Sequence, residues 1–216
     1  MKEINRTSIL VDNDSWILPY VEDLKVMLEN LGVTCKLIRN ENQIPNGDVC
    51  FLLGCTRIVK EESLKKNIYN LVVHESDLPN GKGFAPMAWQ ILDGKNEIMF
   101  SLIEATNTVD SGDIWLQSGL SLRGDELCEE WRHLQGKKTV EMCVNFVREF
   151  DKLSPRKQAG SESFFRRRTP KDSEIDTTKS IDELFELLRV VDNQRYPAFF
   201  YKNGIKYNMK IEKSDG

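Results

Sequence analysis

Apolar positions along the first two-thirds of the chain switch repeatedly between short continuous or alternating runs and a helical three-to-four repeat. Ser8–Asp12 (SILVD) reads as a short buried strand; Ser15 follows as an N-cap, and Ile17–Leu31 recur apolar at helical spacing until Gly32. Val33–Ile38 alternates as a second strand. Asp48–Leu53 (DVCFLL) is a continuous apolar run between Gly47 and Gly54, and Leu71–His74 is another. Continuous runs suit strands buried on both sides, as in a parallel sheet with helices on both faces.

A helix over Pro86–Leu92 ends at Gly94, and Ile98–Ala105 reads as a strand. Asp110–Leu122 alternates apolar and polar and is placed antiparallel beside it. Asp125 then caps a long amphipathic helix running to Lys152. These elements define a Rossmann-like α/β domain over residues 1–153. Residues 154–162 have the Pro, Gly, Ser and Gln composition of a mobile linker. Beyond it, Ser180 caps a helix (IDELFELLRVV), and Ala198–Tyr201 with Lys206–Ile211 form a hairpin across Asn203-Gly204. Residues 154–216 are thus a linker and a small C-terminal α+β appendage.

Composition narrows the function classes. With 30 basic and 34 acidic residues the formal charge is −4, which supplies no footprint for nucleic acid. Met1–Arg6 has no apolar h-region, and no uncharged apolar run nears the roughly 20 residues that span a bilayer. A cytoplasmic protein without membrane partners is expected. Cys35, Cys50, Cys55, Cys128 and Cys143 form no C-x-x-C pair or zinc-ligand spacing, so reduced, buried thiols and no metal are expected.

The chemistry gathers at the end of the central strand, where open α/β sheets bind ligands. His74 begins His74-Glu75-Ser76-Asp77-Leu78-Pro79; Gly81-Lys82-Gly83-Phe84-Ala85-Pro86 follows, and Val109-Asp110-Ser111-Gly112-Asp113-Ile114 lies downstream. These three ordered motifs (H-x-S-x-L-P, a glycine-rich turn with G-x-x-P opening a helix, D-x-G-x-I) resemble the N10-formyltetrahydrofolate-dependent formyltransferases, among them the sugar N-formyltransferases. The resemblance is strongest over Leu71–Gln117 and returns weakly at 167–176 and 195–199. It implies a Rossmann-like domain with N10-formyltetrahydrofolate as co-substrate and His74 and Asp110 flanking the formyl carbon. An imidazolium from His74 would stabilise charge on the formyl oxygen, and Asp110 would orient it and relay the amine proton. Ser76, Leu78, Gly83, Phe84, Pro86 and Gly112 are the folate-binding candidates.

The pattern departs from the family at one position. Formyltransferases carry asparagine two residues before the histidine, and this chain has Val72. Asn70, on the same strand face, lies on the order of 13 Å from His74 at ~3.3 Å per residue and cannot replace it. Asn13 and Asn107 are the substitutes considered, with backbone N–H groups a further option.

For the acceptor, Phe164-Phe165-Arg166-Arg167-Arg168 combines aromatic faces with guanidinium groups suited to a base and a pyrophosphate. Arg167, Arg168 and Tyr196 are therefore acceptor candidates. The acidic balance disfavours methionyl-tRNA. The run LVVHESDLPNGKGFAPMAWQILDGKNEI resembles sugar formyltransferases acting on 4-amino-4,6-dideoxy sugars, with the pseudaminic acid pathway and a UDP-linked acceptor as the nearest type. A formyltetrahydrofolate hydrolase and a catalytically degenerate folate or nucleotide binder are the alternatives. The oligomeric state stays open, a homodimer included.

Overall fold

The computed structural model describes residues 3–214. In chain order its elements are β1 Arg6–Leu10, α1 Leu18–Asn30, β2 Thr34–Ile38, β3 Gly47–Leu52, α2 Glu61–Leu64, β4 Asn67–His74, β5 Lys82–Gly83, α3 Pro86–Leu92, β6 Glu97–Glu104, β7 Ile114–Ser121, α4 Cys128–Glu149, β8 Phe164–Phe165, α5 Ile181–Val190, β9 Ala198–Lys202 and β10 Ile205–Met209. The main sheet has the order β2-β1-β3-β4-β6-β7. Its first four strands are parallel; β6 runs antiparallel to β4, and β7 antiparallel to β6. A mixed, mostly parallel Rossmann-like sheet is therefore present, as the apolar runs predict.

Strand alternation sorts the core into two layers. Ile9, Val11, Val49, Phe51, Leu53 and Leu71 point to one face, where buried residues of α1, α3 and α4 close over them. Leu10, Cys50 and Leu52 point to the other, joined by Ile44, Val59, Leu64 and Val72. The long helices thus guard the first face, while the second is covered by short segments between strands. Gly136 marks a close contact between α4 and α1: a Cβ there would lie 2.6 Å from the Tyr20 ring. Among the described residues no helix is long and apolar enough to cross a membrane.

Several boundaries differ from the pattern reading, each for a local reason. Strand β4 begins at Asn67, because its polar first half pairs with β3 from Gly47 onward. Ile17, not Ser15, is the N-cap of α1; the Ser15 hydroxyl accepts only a long contact from Ile17 N, at 3.5 Å. Likewise Leu127, not Asp125, caps α4, and Glu130 accepts from Leu127 N at 2.8 Å. Asp125 instead pairs with Arg123 and Lys213, while Glu126 accepts from the N–H groups of Arg123 and Gly124. The linker-like stretch 154–162 is bonded in place: Arg156 bridges Ile114 through both backbone groups. A two-residue parallel pair, β5 with β8, had no period long enough to detect.

The C-terminal segment has its own cluster of Ile175, Leu184, Leu188, Val191 and Ala198. The helix α5 and the hairpin β9–β10 form where capping and Asn-Gly chemistry predict. Arg189 ties this segment to the main domain. Fully buried, it bonds Glu186 at 2.8 Å, Asn96 at 3.2 Å and the Glu126 carboxylate at 3.4 Å. Truncating one member of a buried charged set leaves the others unpaired. Arg189→Met is expected to lower stability by roughly 3–5 kcal/mol in urea denaturation.

Candidate active site

The strand order reverses between β1 and β3, since the chain passes from β1 to β2 on one side and returns to β3 on the other. Loops leaving neighbouring strands in opposite directions open a crevice at the strands' carboxyl ends. A cavity of about 490 Å³ lies there, bounded by Asn13 and Ser15–Ile17 after β1, Leu52–Val59 after β3 and Val72–Glu75 at the end of β4. Its remaining walls come from Gly83–Pro86, Ile103–Ala105, Thr106, Thr108–Asp110, and Gln135 and Thr139 of α4. One side, with Leu52, Val59, Leu64 and Val72, is apolar; the other is polar.

His74 and Asp110 meet in this wall. The imidazole is 5% exposed; Nδ1 lies 3.5 Å from Asp110 Oδ2, and Nε2 lies 2.8 Å from the Gly81 carbonyl oxygen. A carbonyl only accepts, so Nε2 carries a proton and Nδ1 is the nitrogen turned to the carboxylate. Asp110 Oδ2 accepts from Gly83 N at 2.8 Å. At 3.5 Å the Nδ1 contact exceeds hydrogen-bond length, leaving Nδ1 free to engage a group entering the gap. Asp110 itself sits at φ 49°, a left-handed conformation tolerated by aspartate.

The loops bearing these groups are locked from behind. Gln158 donates to the carbonyls of Asp110 and Gly112, both at 2.8 Å, and Ser163 Oγ accepts from Gly81 N at 2.8 Å. Lys82, only 2% exposed, reaches Ser111 Oγ at 3.1 Å and Glu162 at 2.7 Å. Segment 156–165 therefore straps the glycine turn to the Asp110 loop. Gly112 presses against the Glu104 carbonyl, where a Cβ would stand 1.7 Å away. Burial raises the Glu104 carboxyl pKa, although Asn70 N and Trp115 Nε1 donate to it.

The remaining candidates divide. Gly83, Phe84 and Pro86 line the cavity. Ser76 and Leu78 stand behind it: Ser76 N donates to the His74 carbonyl, and Leu78 packs with Ile103 and Ile114. Asn13 lines the cavity, but its amide donates to Asp12 and to the Gly54 carbonyl, both at 2.7 Å. Asn107 is exposed and outside the lining. The Arg167 guanidinium lies 4.5 Å from the ring centroid of Phe84, at the cavity rim. Arg168 turns to the Asp172 carbonyl and Tyr196 is exposed; neither lines the cavity, whereas Arg195 does. The Asp172 carboxyl is held well below its usual range, chiefly by Arg166.

The sequence reading missed Glu75, Gln135, Thr139 and Arg195, all in the lining. Glu75 adjoins the histidine, yet nothing in its spacing distinguishes it from a solvated turn residue. Four cysteines are buried, while Cys55 is half-buried in the cavity wall, where burial pushes its thiol up to about 12.

The strap makes a checkable demand on Gly83. At φ +100° its added Cβ would lie 2.3 Å from the Phe165 carbonyl oxygen. Gly83→Ala is expected to part β5 from β8 and expose residues 154–168 to limited proteolysis, with a stability loss of roughly 1–3 kcal/mol. Wild-type resistance to protease would remove the strap from the account.

No family model matches the chain. It is 30% identical over 198 residues to a methionyl-tRNA formyltransferase of Bacillus mycoides, covering 87% of this chain and 59% of that protein. Against the bifunctional polymyxin resistance protein ArnA of Wigglesworthia glossinidia brevipalpis it is 24% identical over 163 residues, 71% of this chain and 24% of that protein. The chain thus spans less than two-thirds of either relative's length. Among solved structures it resembles methionyl-tRNA formyltransferase from Clostridium thermocellum, with TM-score 0.78 and 21% identity over 98% of this chain and 94% of that one. A 4-N formyltransferase from Francisella tularensis gives 0.73 and 17% identity over 99% and 100%. HypX from Aquifex aeolicus in complex with tetrahydrofolic acid gives 0.79 and 16% over 95% and 37%. The chain has the fold of the formyltransferases, and its neighbours include both the methionyl-tRNA and the sugar N-formyltransferases.

Proposed function

We propose that this chain transfers the formyl group of N10-formyltetrahydrofolate to the amine of a nucleotide-linked 4-amino-4,6-dideoxy sugar, UDP-linked and of the pseudaminic acid type. The observation that carries this reading is the meeting of His74 Nδ1 and Asp110 Oδ2, 3.5 Å apart, in the wall of the switch-point cavity. Formyl transfer needs a donor for the developing oxyanion and an acceptor for the amine proton at one carbon. The gap between these side chains offers both.

In this mechanism the formyl oxygen accepts from His74 Nδ1 while the amine nitrogen attacks the carbon. Gly81 holds the other ring nitrogen, so the imidazole keeps its direction as charge develops. Asp110 receives a proton from the attacking nitrogen and returns one to the folate nitrogen as the C–N10 bond breaks. Val72 supplies no second donor, because it packs with the apolar side of the cavity. That apolar side suits the pterin ring, and the polar side toward Ser15, Gln135 and Arg195 suits the acceptor. Phe84 and Arg167 at the rim offer a stacking face and a phosphate partner.

The test is incubation with N10-formyltetrahydrofolate and a panel of nucleotide-linked amino sugars, read by mass spectrometry for the gain of one CO. His74→Ala is expected to lower kcat by on the order of 10²–10³. Asp110→Asn is expected to lower it by roughly 10²–10⁴, with both folds intact by circular dichroism. Formate release without an amine would favour the hydrolase instead, and folate binding without turnover would favour a degenerate binder.

A further inference from the structure

We infer that Glu75 is the residue that receives the acceptor's ammonium group and takes its first proton, making this carboxylate a determinant of amine recognition. The inference rests on the formyl-transfer reading above and adds a second carboxylate to it. Three observations support it.

Glu75 lines the cavity immediately after His74, and its carboxylate lies against Gln135, another lining residue on the polar side where the acceptor would enter. Next, the carboxylate is built in place. Gln135 Nε2 of α4 donates to Oε1 at 2.7 Å, and Gln90 Nε2 of α3 donates to the Glu75 backbone carbonyl at 2.6 Å. Gln135 is itself buried on α4, where its backbone carbonyl accepts from Thr139 Oγ1 at 3.0 Å. Third, the local charge is unbalanced. His74 Nδ1 and Asp110 Oδ2 face one another at 3.5 Å, whereas among the described residues no Lys or Arg lies within ion-pair distance of Glu75. Burial also raises its carboxyl pKa, with His74 and Asp110 acting on it in opposite directions. A carboxylate kept in a cavity with an amide as its side-chain partner lacks a positive charge, and an alkylammonium supplies one.

The proton count gives the residue its task. An ammonium cannot attack, since its nitrogen has no lone pair. Glu75 removes one proton and frees the pair; the nitrogen then forms the C–N bond and loses its second proton through Asp110. That second proton ends on N10 as the C–N10 bond breaks, and the first leaves Glu75 for solvent. Ammonium and formylfolate thus become formamide, tetrahydrofolate and one released proton. A carboxyl whose empty-site pKa is raised is a better acceptor for an ammonium proton than an ordinary surface carboxylate.

The discriminating experiment compares a UDP-linked 4-amino-4,6-dideoxy sugar with its 4-hydroxy counterpart, by calorimetric titration of wild type and Glu75→Gln with tetrahydrofolate present. Wild type is expected to bind the amino compound at least tenfold more tightly. Glu75→Gln should erase that preference, leave the hydroxy compound within about twofold, and leave tetrahydrofolate affinity unchanged; Glu75→Asp should restore part of the preference. Equal wild-type affinities, or a preference that survives in Glu75→Gln, would overturn the inference while formyl transfer stood. If neither compound binds but another amine in the panel is formylated, the sugar assignment falls and the same comparison is made with that amine and its hydroxy analogue. A wild type that formylates none of them overturns both readings.

Discussion

Asp110 ties its own loop to the glycine turn and to the end of β4, and the site takes its shape from that. Its carboxylate faces His74 at the end of β4 and accepts from Gly83 N in the glycine turn. Neither loop is rigid alone: one carries a non-glycine residue at positive φ, the other two glycines there. What fixes them is the strap of residues 156–165, through Gln158, Ser163, Lys82 and the β5–β8 pair. The strap runs against the rear of the site and leaves the cavity side open. The relative placement of His74 and Asp110 therefore depends on hydrogen bonds made by a segment outside the cavity lining.

This arrangement explains a division of labour across the cavity. The apolar side is the second, thinly covered face of the sheet continued outward, and Val72 belongs to it. An asparagine there would put an amide among Leu52, Val59 and Leu64; valine gives packing and no donor. The polar side continues the helix-covered face, where α4 brings Gln135 against Glu75. The Glu75 carboxylate thus stands on the α4 side of His74.

Much of the fold could be read from period alone, since the buried strands and α3 announce themselves by continuous apolar runs and by Pro86 and Gly94. His74 and Asp110 could be singled out because motif spacing and strand-end position agree. Other features had no local signature. Asn67, Tyr69 and Asn70 interrupt the apolar pattern at the start of β4, where β3 supplies the partners, and a pair as short as β5–β8 has no periodicity. Loop composition suggested a mobile stretch at 154–162, but hydrogen bonding to distant backbone decides its state. Glu75 and Gln135 are 60 residues apart and become a pair only through packing of α4 on the sheet. Arg168 reads as an acceptor-binding cation, yet burial lowers its pKa and it faces the Asp172 carbonyl.

The central claim is that His74 and Asp110 converge on the carbon being transferred. A crystal structure with bound tetrahydrofolate tests it most directly. The account predicts the pterin against Val72 and Leu64, with N10 within roughly 3.5 Å of the space between His74 Nδ1 and Asp110. Folate seated elsewhere, or N10 turned away from both side chains, would contradict it.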